Sequence, residues 1–273
     1  MLSFVPTPIG NIGDISLRAL ELLAKADILL CEDTRVTKKL LHILQERYDF
    51  FKPNPSQDFY SVHSHNERQF LQQHTKEFFC EHEVVYISDA GMPGISDPGA
   101  TLIQYAQQEG IAYDVLPGAN AVLTAYVASG FDDAKMFFYG FLDHKGSSRE
   151  AQLQEVLFSG YTSVVYESPH RLEKLLKELH ASVPTRKLFL AKELTKRYQC
   201  YFKGTAQEIL TTLDGNFKGE WVVVIEADVR HNSSAISQED ILALDLPKKQ
   251  QAKLISKITG EKPKEVYNRL LEL

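Results

Sequence analysis

The sequence predicts an α/β protein of two domains with a cleft between them, followed by a small helical tail. Three observations lead there. Short apolar, β-branched or aromatic runs alternate with stretches of helical periodicity. That series breaks once, near residues 116–121. After residue 229 the chain turns polar and then basic.

Eight runs read as strands: "LSFVP", "DILLCE", "VVYIS", "AYDVLP", "MFFYGF", "TSVVYE", "KLFLAK" and "WVVVIEA". Between them, residues 15–26 place Leu17, Leu20, Leu23 and Ala24 on one helical face. The segment after Ser168 does the same with Leu172, Leu175, Leu176 and Leu179, with Pro169 in its first turn. Such alternation predicts largely parallel sheets. The first four runs end at "LPGANA" and four more begin at Met136, so the domains are expected at 1–117 and 118–230. Residues 231–273 form a linker and tail. Ser237 with Asp240 resembles a capping-box start. Two short helices follow, 246–259 ending at Gly260, and 264–273 with Val266, Tyr267, Leu270 and Leu271 on one face. From residue 247 the tail carries seven Lys/Arg against three Glu. It reads either as a hairpin packed on the second domain or as an RNA-contacting appendage.

At 273 residues, 44% hydrophobic and 24% charged, the composition is that of a folded protein. No apolar run approaches the ~20 residues of a membrane span. The start lacks the form of a signal peptide, which predicts an intracellular, cytoplasmic protein. Cys31, Cys80 and Cys200 form no CxxC and read as reduced small hydrophobes. The net charge of −6 does not favour a nucleic-acid partner, but local basic patches decide that question.

The chemistry-bearing residues gather where strands end. In "SDAGMPGISDPG" (88–99), Gly91 and Gly94 let backbone approach a bulky ligand, and Pro93 and Pro98 fix φ. Asp97 is expected to cap the next helix, and Asp89 to touch a ligand. "PTPIGN" (6–11) is neither a G-x-G-x-x-G fingerprint nor a Walker A loop, and reads as a plain βα turn or a binding loop. In "CEDTR" (31–35), Thr34 is expected as N-cap with Glu32, Asp33 and Arg35 around it. These are either a local ion-pair arrangement or a grip on a polar substrate. His63 and His65 of "VHSHNE" are too few for a catalytic zinc, and no metal is expected. "YESPHR" and "AKELTKRY" add Glu167, His170, Arg171, Lys192, Glu193, Lys196 and Arg197. No G-x-S-x-G and no activated cysteine support covalent catalysis.

Taken in order, "PTPIGNIGDISLRALELLAKADILLCEDTR", "HSHNE", "SDAGMPGISDPG", "LPGANAVLTAYVASG", "YESPHRL", "KELTKRY", "GEWVVVIE" and the basic tail resemble one family. It is the small-subunit ribosomal RNA 2′-O-methyltransferases of the tetrapyrrole methylase superfamily. The resemblance implies that fold, a homodimer, and S-adenosylmethionine bound in the cleft. The implied reaction methylates the ribose 2′-oxygen of a cytidine in the decoding region of 16S ribosomal RNA. Carried onto this chain, Pro8, Gly10, Asp89, Ala90, Gly91, Met92 and Pro93 would bind the cofactor. So would Pro117, Gly118, Ala119, Asn120, Ala121, Tyr166 and Glu167. Glu32, Arg35 and Lys192 would be catalytic, with Lys192 or Glu32 handling the proton. Arg171, Lys196, Arg197, Lys248 and Lys249 would hold RNA. This chain departs from the pattern at Met92, where the family usually has Thr, at "PGANA" for "PGPSA", and at Ser64 for an acidic residue. Two other readings are a methylase of a tetrapyrrole ring and a non-catalytic ribosome-assembly factor that kept the fold.

Overall fold

The structure, a computed structural model, describes residues 1–96, 98–133, 135–228 and 238–271. Its first sheet contains β1 (Leu2–Phe4), β2 (Ile28–Cys31), β3 (Asp58–Ser61), β4 (Val84–Ile87) and β5 (Tyr113–Val115) in the order β3-β2-β4-β1-β5. Every pairing in it is parallel. Five helices connect and cover it: α1 (Leu17–Lys25), α2 (Thr34–Arg47), α3 (Glu67–Gln73), α4 (Lys76–Glu81) and α5 (Ala100–Glu109). The runs "ILLC" and "VVYI" are apolar without interruption because both faces are covered. Leu29, Val85 and Ile87 meet Leu20, Leu23, Leu41 and Leu44 on one side. Leu30, Val84 and Tyr86 meet Phe70, Phe79 and Leu102 on the other.

α6 (Ala121–Ser129) leads to a second sheet: β6 (Met136–Phe141), β7 (Thr162–Glu167), β8 (Leu188–Lys192), β9 (Cys200–Gly204) and β10 (Trp221–Ile225), ordered β6-β7-β10-β8-β9. α7 (Gly146–Phe158), α8 (Leu172–Ser182) and α9 (Ala206–Leu213) supply Leu153, Leu175, Leu176 and Ile209 to one face. Val122 and Ala125 of α6 pack with Val164, Phe189 and Val224 on the other.

The expectation of largely parallel sheets fails here. Only β6 and β7 are parallel; β10 runs antiparallel to both β7 and β8, and β9 antiparallel to β8. The link 193–199 between β8 and β9 is too short for a crossover, which needs a dozen residues or more. β3 and β9 have no counterpart among the eight runs read from sequence.

Two helix starts also differ, and a third has an unexpected acceptor. Asp33, not Thr34, is the N-cap of α2: its Oδ1 accepts from the Arg35 N–H at 2.8 Å. Pro169 lies in a turn ahead of α8, whose N-cap is Arg171. At α5, Asp97 lies outside the described residues, and a distant side chain accepts from the helix start. The buried Glu67 Oε1 accepts the N–H groups of Gly99 at 3.1 Å and Leu102 at 3.0 Å. Glu67→Ala should therefore destabilise the protein by about 1–3 kcal/mol, because two buried donors lose their acceptor. A urea midpoint within error of wild type would contradict this.

Residues Met1–Ala227 form one compact unit and Asp228–Leu273 another. In the second, α10 (Gln238–Leu242), α11 (Lys248–Thr259) and α12 (Pro263–Leu271) enclose Ile241, Ala252, Ile255, Val266 and Leu270. Gly260 ends α11 in the left-handed conformation. α12 opens on a proline, whose fixed φ suits a first helical position. Ser237 and the expected linker lie outside the described residues. Among the described residues, no helix is long and apolar enough to cross a membrane.

Candidate active site

Loops that follow the carboxyl ends of β1, β4 and β8 are tied together. Thr7 and Gly91 exchange backbone hydrogen bonds, each 3.0 Å. The Thr7 hydroxyl donates to the Ser88 carbonyl, and the Ser88 hydroxyl to that of Gly91, both at 3.1 Å. Gly91 has φ +91°, a conformation that L side chains avoid, and a Cβ there would press on Ile9 at 3.2 Å. The second tie joins the two sheets' loops. The Asn11 N–H donates to Thr195 Oγ1 at 2.9 Å. A Cβ on Gly10 would lie 2.5 Å from Lys196 Cγ and 2.7 Å from the Leu194 carbonyl oxygen. Glu193 and Thr195 hold φ values of 50° and 61°, left-handed and costly for a β-branched residue.

Between these loops lies a cavity of about 410 Å³. Ile9, Ala191, Leu194 and Val222 give it apolar walls, and Phe141, Tyr166 and Trp221 give it aromatic ones. Of the residues expected around the cofactor, Ala90, Gly91, Met92, Asn120, Ala121, Tyr166 and Glu167 line it. Pro8, Gly10, Asp89, Pro93, Pro117, Gly118 and Ala119 are not among its walls. Gly118 instead packs on Pro6, and Asn120 caps α6 through the Leu123 N–H. Sequence reasoning missed Ser168, Pro169, Glu220 and Trp221 as lining residues. The sequence shows Trp221 only as the start of the strand-like run "WVVVIEA"; its place opposite Glu167 and Lys192 comes from the pairing of β10 with β7 and β8.

Glu167 forms the buried end of an ion network. Its Oε1 accepts from the Ser168 N–H at 2.8 Å and pairs with Arg171 Nε at 2.9 Å. Its Oε2 faces Arg149, which is almost fully buried and also pairs with Glu178 at 2.8 Å. Burial alone would lower the Arg149 guanidinium pKa, but the Glu178 and Glu167 carboxylates reverse this and raise it. Arg171 also donates to the Leu142 carbonyl, so it is turned inward.

A polar group borders the cavity on the first sheet's side. Glu32 Oε1 accepts from the Asp89 N–H at 3.1 Å, and Asp89 Oδ1 from the Asp33 N–H at 3.3 Å. Burial raises the Glu32 carboxyl pKa. The Asp89 N–H and His63 oppose that rise and the Asp89 charge adds to it. Loss of water raises Asp89 as well, opposed by the Asp33 N–H and aided by the Asp33 charge. Asp33 is held down to about 2 by its hydrogen bonds with Arg35. Arg35 thus spends its guanidinium on Asp33, at 2.6 Å. Lys192 ends β8 with its Nζ 5.4 Å from the Trp221 ring centroid. Lys196 pairs with Glu220 at 2.8 Å and Glu193 at 3.4 Å. Arg197 has no carboxylate partner among the described residues. In the tail, the Lys248 Nζ donates to the Leu270 carbonyl, while Lys249 is exposed on α11.

A largely apolar cavity at the strand ends of both sheets, walled by aromatic side chains and a glycine-rich loop, is the ligand site of a two-sheet α/β protein. The model of the family "Tetrapyrrole (Corrin/Porphyrin) Methylases" matches residues 1–210. The chain is similar to the solved "Crystal structure of diphthine synthase", with TM-score 0.61 and 16% identity over 85% of this chain and 92% of that one. It is 46% identical to "Ribosomal RNA small subunit methyltransferase I" of Campylobacter fetus over 99% of this chain and 100% of that protein. It is 44% identical to the protein of that name from Helicobacter pylori strain J99, over 100% and 98%. The chain belongs to the ribosomal RNA small subunit methyltransferase I family of the tetrapyrrole methylases. It is a methyltransferase that uses S-adenosylmethionine. The cavity fits that cofactor: aromatic walls suit a purine, the short side chains of Ala90, Gly91 and Ala121 leave room for an extended chain, and the volume suits a small ligand.

Proposed function

We propose that this protein methylates the ribose 2′-oxygen of a cytidine in small-subunit ribosomal RNA, in the cytoplasm and as a homodimer. The full-length identity of 46% to a protein named for that RNA carries the reading. S-adenosylmethionine supplies a methyl group already activated on a sulfonium sulfur. The protein's task is then to position the ribose and to deal with its hydroxyl proton. Ala90, Gly91, Met92, Asn120 and Ala121, with Tyr166 and Glu167, would hold the cofactor. Pro8, Gly10, Asp89 and the remaining residues of the two glycine-rich loops would shape its edges. Glu32 is the leading proton acceptor and Lys192 the alternative, with Arg35 acting through Asp33. Arg197 and Lys249 would meet RNA phosphates, while Lys196, Arg171 and Lys248 would act through the contacts that now hold them. The two sheets would correspond to domains 1–117 and 118–230, with the tail from 231.

The test is transfer of tritiated methyl groups onto small subunits and onto naked RNA, both from cells lacking the protein, followed by ribose-methylation mapping. Incorporation at a single cytidine 2′-oxygen is expected. Cofactor binding can be read separately, because the chain's one tryptophan, Trp221, lies in the cavity wall. A Trp221 fluorescence response to S-adenosylmethionine without methyl incorporation would favour the non-catalytic assembly factor.

A further inference from the structure

A second depression lies beside the apolar cavity. It is an open cleft of about 720 Å³, lined by Glu32, Ser64, His65, Arg68, Ser96 and Thr101 among others. Its walls are polar where the first cavity's are apolar. The two share Ser96, and Glu32 bonds the backbone of Asp89, next to the cavity residue Ala90. Transfer between two bound molecules needs such adjoining sites, with reacting atoms brought to about 3 Å.

The cleft's edge is rigidly built. Asn66 Oδ1 accepts from the His63 N–H and its Nδ2 donates to the Ser61 carbonyl, both at 2.8 Å. His63 Nδ1 accepts from the His65 N–H at 3.3 Å, and the His65 ring stands exposed at the cleft. Glu67 also reaches the cleft, but its carboxylate is occupied by the N–H groups of Gly99 and Leu102. Arg68 is exposed there and has no carboxylate partner among the described residues. The contrast with Arg35 and Arg171, both held by carboxylates, is direct.

We propose that this cleft seats the acceptor nucleotide, a single ribonucleotide unit swung out of its strand. Arg68 holds its phosphate, the His65 ring lies against its base, and its ribose faces Glu32 and Ser96. An unpaired guanidinium suits a phosphate, and an exposed imidazole is a stacking surface for an unstacked base. The volume lies within the range of small-ligand sites. The inference rests on the RNA-methylating reading above.

The test uses the full chain and a fluorescein-labelled small-subunit ribosomal RNA transcript, with binding measured by anisotropy across a potassium chloride series. Arg68→Gln should weaken RNA binding about tenfold, the loss expected for one charge-assisted contact. It should also reduce the slope of log affinity against log salt by about 0.7, as for one single-strand phosphate. Thr101→Phe, which fills the cleft, should raise the KM for RNA. In both variants the Trp221 response to S-adenosylmethionine should match wild type. RNA affinity, salt slope and KM all unchanged in these variants, with wild type active, would overturn the cleft assignment alone. Loss of cofactor affinity in both would give the cleft to the cofactor and overturn it too. A wild-type protein that neither binds nor methylates the RNA would instead overturn the functional reading, and the cleft assignment with it.

Discussion

Arg149→Met should lower the free energy of unfolding by about 3–5 kcal/mol, the range for removing one partner of a buried ion pair. The Arg149 side chain is 2% exposed and the Glu167 side chain fully buried. The guanidinium contacts Glu178 through Nε and a terminal nitrogen, Glu167 at 3.4 Å, and the Asp143 carbonyl at 2.8 Å. Methionine fills similar space, so the loss is electrostatic and not a cavity. Among the described residues it leaves Glu167 with only Arg171 as cation, and the Asp143 carbonyl without this donor. Glu178→Gln should cost less, because Glu178 is 26% exposed and water can replace its contact. Urea midpoints at neutral pH measure both; a loss below about 1 kcal/mol for Arg149→Met would contradict the argument. Since Glu167 also lines the cavity, the same variant should weaken the Trp221 response to cofactor.

Glu32→Gln should lower methyl transfer about a hundredfold or more, the usual contribution of a positioned proton acceptor, while cofactor binding stays within about twofold of wild type. Glutamine keeps an oxygen to accept the Asp89 N–H, so the loop geometry survives. A carboxylate works as a base only when ionised, and burial raises Glu32. The rate should therefore rise with pH through a limb lying above that of an exposed glutamate. Asp89→Asn removes a negative charge that contributes to the rise, so the limb should move to lower pH. Full turnover by Glu32→Gln would shift the role to Lys192.

Much of this molecule was legible in the amino-acid sequence, and the failures share a physical origin. Buried strands such as β2, β4, β7 and β10 announce themselves as unbroken apolar runs. The edge strands β3 and β9 do not: "DFYS" and "CYFKG" remain half in water and carry no such run, whereas the edge strands β5 and β6 were legible in "AYDVLP" and "MFFYGF". Local periodicity also says nothing about partners. It therefore missed β10 pairing antiparallel between two strands, Glu67 capping a helix 33 positions beyond it, and Arg149 meeting Glu167 and Glu178. At the site, glycine- and proline-rich loops marked the ligand side of the sheets. Whether a given glycine faces a ligand or another loop depended on contacts such as Gly10 with Lys196, which only the fold reveals. Likewise, the sequence shows Arg171 and Lys196 as cations near strand ends, and only the fold shows each beside a carboxylate.

The position of β10 carries a consequence for biosynthesis. The first sheet is complete once residue 115 has been made, so it can fold while the rest of the chain is still being translated. The second sheet cannot: its central strand is its last, residues 221–225, wedged between two strands made earlier. β7 and β8 must wait apart, their inner edges unpaired, until that strand leaves the exit tunnel. Trp221, the first residue of that strand, is also a wall of the cavity. A nascent chain therefore has no complete cofactor pocket until nearly all of the first compact unit has been synthesised, and chains truncated before residue 221 should expose strand edges open to aggregation.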